Sequence, residues 1–130
     1  MKLQPDRFDT LALTGHGPGW VAVNGERVAH SLVVSAQGHR LDWQCASFDA
    51  LTPAHFSQLL DLRPEVIVFG SGDRLRFPAP ALVRDLVSQN MGVETMDTRA
   101  ACRTYNILAG EGRRVVAALL IESGAVEQTG

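Results

Sequence analysis

Lysine is almost missing from this chain: of its 12 basic residues only Lys2 is lysine, and the rest are arginine. A GC-rich coding sequence accounts for such a bias. The functional alternative is bidentate recognition of anions, which a planar guanidinium does better than an ammonium group. An excess of one charge is missing too. The formal net charge is -2, which argues against a dedicated nucleic-acid or membrane-surface binder. Cysteine is limited to Cys45 and Cys102. With no CxxC pairing, these do not make a disulfide framework. No apolar run approaches the ~18 residues of a membrane span. The opening MKLQPDRFDTLAL is broken by acids and lacks a signal-peptide core. A cytoplasmic protein with reduced thiols and no membrane insertion is expected.

The usual catalytic and ligand motifs are absent as well. His16, His30, His39 and His55 show no HxxxH spacing, so no metal is expected. No Gly-x-Ser-x-Gly frame occurs, and no Gly-Lys-Ser/Thr follows a glycine-rich turn. The carboxylates show no pairing of the kind glycoside chemistry uses. No catalytic residue and no cofactor is assigned.

What is present suits one α/β domain over 1–130. A chain of 130 residues, 45% of them hydrophobic, can bury roughly two-thirds of its unfolded surface. Residues 1–19 read as irregular, ending in Gly15-His16-Gly17-Pro18-Gly19. Trp20–Val23 reads as a strand, Asn24-Gly25 as a hairpin turn, and the return strand as about Arg27 to Ser35. A shorter strand follows at Leu41–Cys45, which completes a β-meander. Leu51-Thr52-Pro53 predicts a helix start, with Thr52 as cap and Leu51 stapled onto Phe56. Val66–Phe69 is a continuous apolar run, as in a strand covered on both faces. A helix is predicted over Pro78–Gln89 with Leu82, Val83, Leu86 and Val87 inward. A strand at Val93–Met96, a helix at Thr98–Leu108 and a strand at Val115–Ile121 complete a β-α-β-α-β order. That order implies right-handed crossovers and parallel pairing. The meander adds to this sheet or packs on it, and residues 122–130 read as a frayed tail.

Two strand ends then face one crevice. Gly70-Ser71-Gly72, with Asp73, leaves a buried strand, although Leu75 stands where a dinucleotide fingerprint needs its third glycine. A tight turn explains these glycines without any ligand. Asp97 and Thr98 open the next helix, and capping alone explains both. Arg99 and Arg103 lie at i and i+4 and repel one another, so acids should answer them. Asp73, Glu94, Asp97 and Glu111 are the internal candidates, and a bound anion is the alternative. Cys102, beside Arg103 near a positive helix end, is a candidate reactive thiol. The competing reading is a buried cysteine acting as a small hydrophobe.

The run Met96-Asp97-Thr98-Arg99-Ala100-Ala101-Cys102-Arg103-Thr104-Tyr105-Asn106-Ile107-Leu108, followed by Glu111-Gly112-Arg113 and Val116–Leu120, resembles a small single-domain family. Val66–Gly72, Phe77-Pro78, Gly92-Val93-Glu94, Gly15–Gly19 and Asn24-Gly25 fit as well. The family is known as domain of unknown function four-nine-eight. The resemblance implies a three-layer α/β fold with a mixed central sheet and a bacterial-type member. Mitochondrial members act in assembly of respiratory complex I as binding partners, another animal member is associated with adipocyte differentiation, and bacterial members have no settled activity. The family supplies no agreed catalytic residues. The resulting expectation is a non-enzymatic module whose partner is another protein. The alternative is a small anion, held by a binding protein or enzyme between Gly70–Asp73 and Asp97–Arg103.

Overall fold

A computed structural model describes residues 11–122. Eight strands form two sheets. The smaller is antiparallel, in the order β1 (Leu13–Gly17), β2 (Trp20–Val23), β3 (Glu26–Val28). The larger also contains β4 (Leu32–Ser35), β5 (Arg40–Asp42), β6 (Val66–Gly70), β7 (Val93–Met96) and β8 (Val115–Leu119), in the order β5-β4-β8-β6-β7. It is mixed: β6 pairs parallel with β7 and β8, while β4 runs antiparallel to β5 and β8. Helices α1 (Pro53–Ser57), α2 (Arg84–Ser88) and α3 (Thr98–Gly110) complete the fold.

The continuous apolar runs behave as their composition dictates. Alternate residues of a strand point to opposite faces, and both faces here are covered. Along β8, Val115, Ala117 and Leu119 join one core with α3 and the small sheet. Val116, Ala118 and Leu120 join a second core with Phe56, Leu59 and Leu86. Strand β6 does the same, with Val68 in the first core and Ile67 and Phe69 in the second. The result is three layers: α3 and the small sheet, the central sheet, then α1 and α2. In the second core, Trp43, Phe56 and Phe69 meet edge to face at centroid distances of 5.3–6.0 Å. That is the arrangement ring quadrupoles favour.

The predicted turn at Asn24-Gly25 forms, with φ of 47° and 89°. Both signs match the turn type that joins twisted strands. Helix α1 begins at its predicted cap, where the Thr52 N–H donates to His55 Nδ1 at 2.9 Å. The His55 Nε2–H then donates to the Gln44 carbonyl.

Four expectations need correction. The segment 1–19 was expected to be irregular, but Leu13–Gly17 is a strand paired with β2. Strand pairing satisfies the backbone even where glycine is frequent. The single return strand over 27–35 divides at Ala29–Ser31 into β3 and β4, which belong to different sheets. The helix over 78–89 is instead a 3-10 turn, Pro80–Val83, followed by the short α2. A 3-10 turn advances about 120° per residue against 100° for an α-helix, so the apolar stripe drifts and Val87 is left 60% exposed. Finally, Glu122, placed in the tail, is ion-paired to Arg76. The rest of the tail, 123–130, lies outside the described residues.

Candidate functional site

Strands β6 and β7 run parallel, with Gly70 opposite Met96, so the loops that follow them emerge on the same side. There they meet the β1–β2 turn around a cleft of about 450 Å³. Its walls include His16–Trp20, Gly72, Asp73, Asp97, Thr98, Arg99 and the end of β8 at Leu120–Glu122. Of the crevice expected between Gly70–Asp73 and Asp97–Arg103, Gly72, Asp73, Asp97, Thr98 and Arg99 line this cleft. Its third wall, His16–Trp20, comes from the other sheet and was not anticipated. The one signal in the sequence was the Gly15–Gly19 cluster beside Trp20, which marks a turn but does not say where that turn packs. Trp20 is itself held in place by Arg27, whose guanidinium lies 3.9 Å from the ring centroid.

The walls are held together by a buried exchange of hydrogen bonds. The Thr98 N–H donates to the Gly72 carbonyl at 2.9 Å. In return the Gly72 N–H donates to Thr98 Oγ1 at 2.9 Å, and that hydroxyl donates to the Leu120 carbonyl at 2.9 Å. The Ser71 N–H donates to the Met96 carbonyl at 2.8 Å. Asp97 caps α3 by accepting from the Ala100 N–H at 2.8 Å. Gly70 permits the contact: a Cβ there would fall 2.9 Å from Thr98 Cα and 3.1 Å from Ala101 Cβ. This glycine serves close helix–strand packing, as the third glycine of a nucleotide fingerprint does elsewhere.

Those bonds change what the site can do. An anion cradle needs backbone N–H groups with no other partner. The N–H groups of Ser71, Gly72, Thr98 and Ala100 all have internal acceptors. Of the first three amides of α3, only that of Arg99 has no acceptor among the described residues. Three carboxylates, on Asp73, Asp97 and Glu122, share the walls with Arg99. Arg103, one turn along α3, does not line the cleft. The site residues named from sequence are thus partly gathered: Gly72, Asp97, Thr98 and Arg99 at the cleft, Gly70 and Ser71 buried beneath it.

The loop after β6 is firmly anchored. Ser71 Oγ donates to the Arg74 carbonyl and accepts the Arg76 N–H. The Arg76 guanidinium donates to the Ser71 carbonyl and to Glu122 Oε1, and it stacks 4.7 Å over the Phe48 ring. Glu122 Oε2 accepts the Phe48 N–H at 2.7 Å. On either side of the inward Arg76, Leu75 and Phe77 are exposed.

The reactive-thiol expectation for Cys102 is corrected by its burial, since the residue is 2% exposed in the first core. Burial pushes the thiol up to about 11 and outweighs the opposing charge of Arg103. Cys45 lies in the second core, on the other face of the sheet. Its thiol is also raised, first by burial and then by the Glu122 charge, while a backbone hydrogen bond at Ser47 opposes both. Three histidines have partners, His30 with Asp42 at 3.6 Å, His39 with Ser35 and His55 with Thr52 and Gln44, while His16 lines the cleft. Among the described residues, no three His, Cys, Asp or Glu side chains gather as a metal site.

Fold and site together define a three-layer α/β domain with a mixed sheet and a cleft at the parallel strand ends. The chain belongs to the family described as "Protein of unknown function (DUF498/DUF598)", which matches residues 13–120. A bovine relative (Bos taurus), NADH dehydrogenase (ubiquinone) 1 alpha subcomplex assembly factor 3, is 35% identical over 82% of the chain. The chain spans 59% of the length of that relative. An uncharacterized Rhodobacter capsulatus protein is 31% identical over 95% of the chain and 94% of its own length. A crystal structure of a Bordetella parapertussis protein superposes with a TM-score of 0.82 at 40% identity, covering 86% of this chain and 96% of that one.

Proposed function

We propose that this chain is a non-enzymatic interaction module that holds another protein while a larger assembly is built. Kinship carries the reading: 35% identity over 82% of the chain to a protein named as an assembly factor of NADH dehydrogenase. By that analogy the assembly is a respiratory complex, and the partner is a subunit or a second assembly factor. The reading takes the chain to act in the cytoplasm.

The physical features favour contact over chemistry. Both thiols are raised by burial, which keeps them protonated and poorly nucleophilic. The amides of Ser71, Gly72, Thr98 and Ala100 beside the cleft are committed to internal acceptors. Meanwhile Leu75 and Phe77 stand 52% and 68% exposed on a loop already fixed through Arg76. Apolar side chains held in place lose little entropy when a partner covers them. A small anion in the cleft is the weaker reading, because the cleft offers one arginine, Arg99, against three carboxylates on its walls, and Arg103 lies outside it.

Deleting the gene in the native host tests the proposal. Fully assembled NADH dehydrogenase, quantified on native gels, should fall while synthesis of its subunits continues, and re-expression of the chain should restore it. An unchanged amount of assembled enzyme rules out this assembly role.

A further inference from the structure

Two exposed arginines stand on α3, Arg99 at the edge of the cleft and Arg103 outside it. Arg99, Arg103 and Ile107 fall at i, i+4 and i+8, so they form one row along the helix. All three are exposed, Ile107 at 61%. The inner side of the same helix is spent on the core through Ala101, Cys102 and Tyr105. Like charges at this spacing repel, and internal acids were the expected answer. They do not supply it. Among the described residues the ion pairs use His30, Arg40, Arg76 and Arg113, and neither Arg99 nor Arg103 has a carboxylate within 4.0 Å. Asp97 instead faces the Ala100 N–H.

We propose that this row docks an acidic segment of the partner protein, with carboxylates on Arg99 and Arg103 and an apolar side chain over Ile107. The proposal rests on the interaction reading above and adds the surface and the partner's chemistry. Charge complementarity selects the occupant. In a chain of formal charge -2, Arg99 and Arg103 are neighbouring cations with no ion-pair partner among the described residues. The guanidinium fork matches a carboxylate with two parallel bonds. Four residues advance an α-helix by about 6 Å. That separation is met by carboxylates four apart on a partner helix or two apart on an extended strand. A small anion fits less well, because Arg99 lines the cleft and Arg103 does not, so the two do not converge on an enclosed space.

The test uses the full chain in its native host, with a photo-crosslinking amino acid placed at position 107, 77 or 41. Position 107 should crosslink to one protein, within a segment rich in Asp and Glu. With that protein purified, the double variant Arg99→Glu/Arg103→Glu should bind it at least ~10-fold more weakly. Lysines in place of the partner's crosslinked carboxylates should restore binding to the double variant. Both substitutions are at exposed positions, and glutamate in the first turn of a helix suits its dipole. An unchanged thermal midpoint then shows that the fold is intact. Crosslinks at 77 but not at 107 would remove this surface and leave the interaction reading standing; none at any position would remove both. Undiminished affinity of the double variant also overturns the proposal. So does a charge-reversal effect seen only on phosphatidylglycerol vesicles, which would make the row a membrane contact.

Discussion

Cys102 shows how one residue can be read two ways. Its neighbours suggest activation: the start of a helix and an arginine next in sequence. The helical spacing argued the other way, because Thr98, Ala101, Cys102 and Tyr105 follow the 0, 3, 4, 7 rhythm of a buried face, and all four are buried. Periodicity outweighs sequence proximity here, since burial moves the thiol further than the Arg103 charge pulls it back. The consequence is a pH dependence of stability. The thiol is raised to about 11 in the folded state, from 9.0. Its contribution is complete below the unfolded value and lost as pH rises through the folded one, because the unfolded chain gives up this proton first. The two-unit difference is worth ~2–3 kcal/mol by linkage. Stability from urea denaturation should therefore decline between about pH 9 and 11, with Cys102→Ala declining less steeply. Equal slopes for the two proteins would show that this thiol titrates normally.

At the level of elements, the strands with continuous apolar runs were legible because both faces of β6 and β8 are covered. The division of the 27–35 strand was not. No glycine or proline marks it, and the cause is long-range. Ser31 is buried, and its Oγ accepts the Ile121 N–H at 2.9 Å, while its carbonyl accepts the Trp43 N–H. These bonds carry the chain from the small sheet to the large one, and their partners are remote in sequence. The junction of β6 with α3 was half legible. Glycines at the strand end were visible, but their use in packing was not. Because backbone blocks a Cβ at Gly70, Gly70→Ala should push α3 off the sheet. Overpacking of this kind costs about 1–3 kcal/mol. The urea midpoint should fall accordingly at unchanged slope, and a midpoint equal to that of the unsubstituted chain would contradict the close approach.

Across the whole molecule, the cleft is assembled from four separate stretches, one in the β1–β2 turn and one each after β6, β7 and β8. Two of them, after β6 and after β7, followed from parallel topology. The first required knowing that a separate sheet folds its β1–β2 turn against them, and no local pattern of sequence contains that. The same scale governs function. On the proposed reading, the anchored Leu75–Phe77 loop and the arginines of α3 are the surfaces that a partner covers. An assembly factor should ride on incomplete complexes and leave when they are finished. The direct measurement is a pulse-chase in the native host with the tagged chain, resolved on native gels and probed for both the chain and NADH dehydrogenase subunits. The account predicts that the chain migrates with intermediates early in the chase and is absent from the mature enzyme. If it migrates at all times as a free species, while the enzyme assembles normally, the account is wrong.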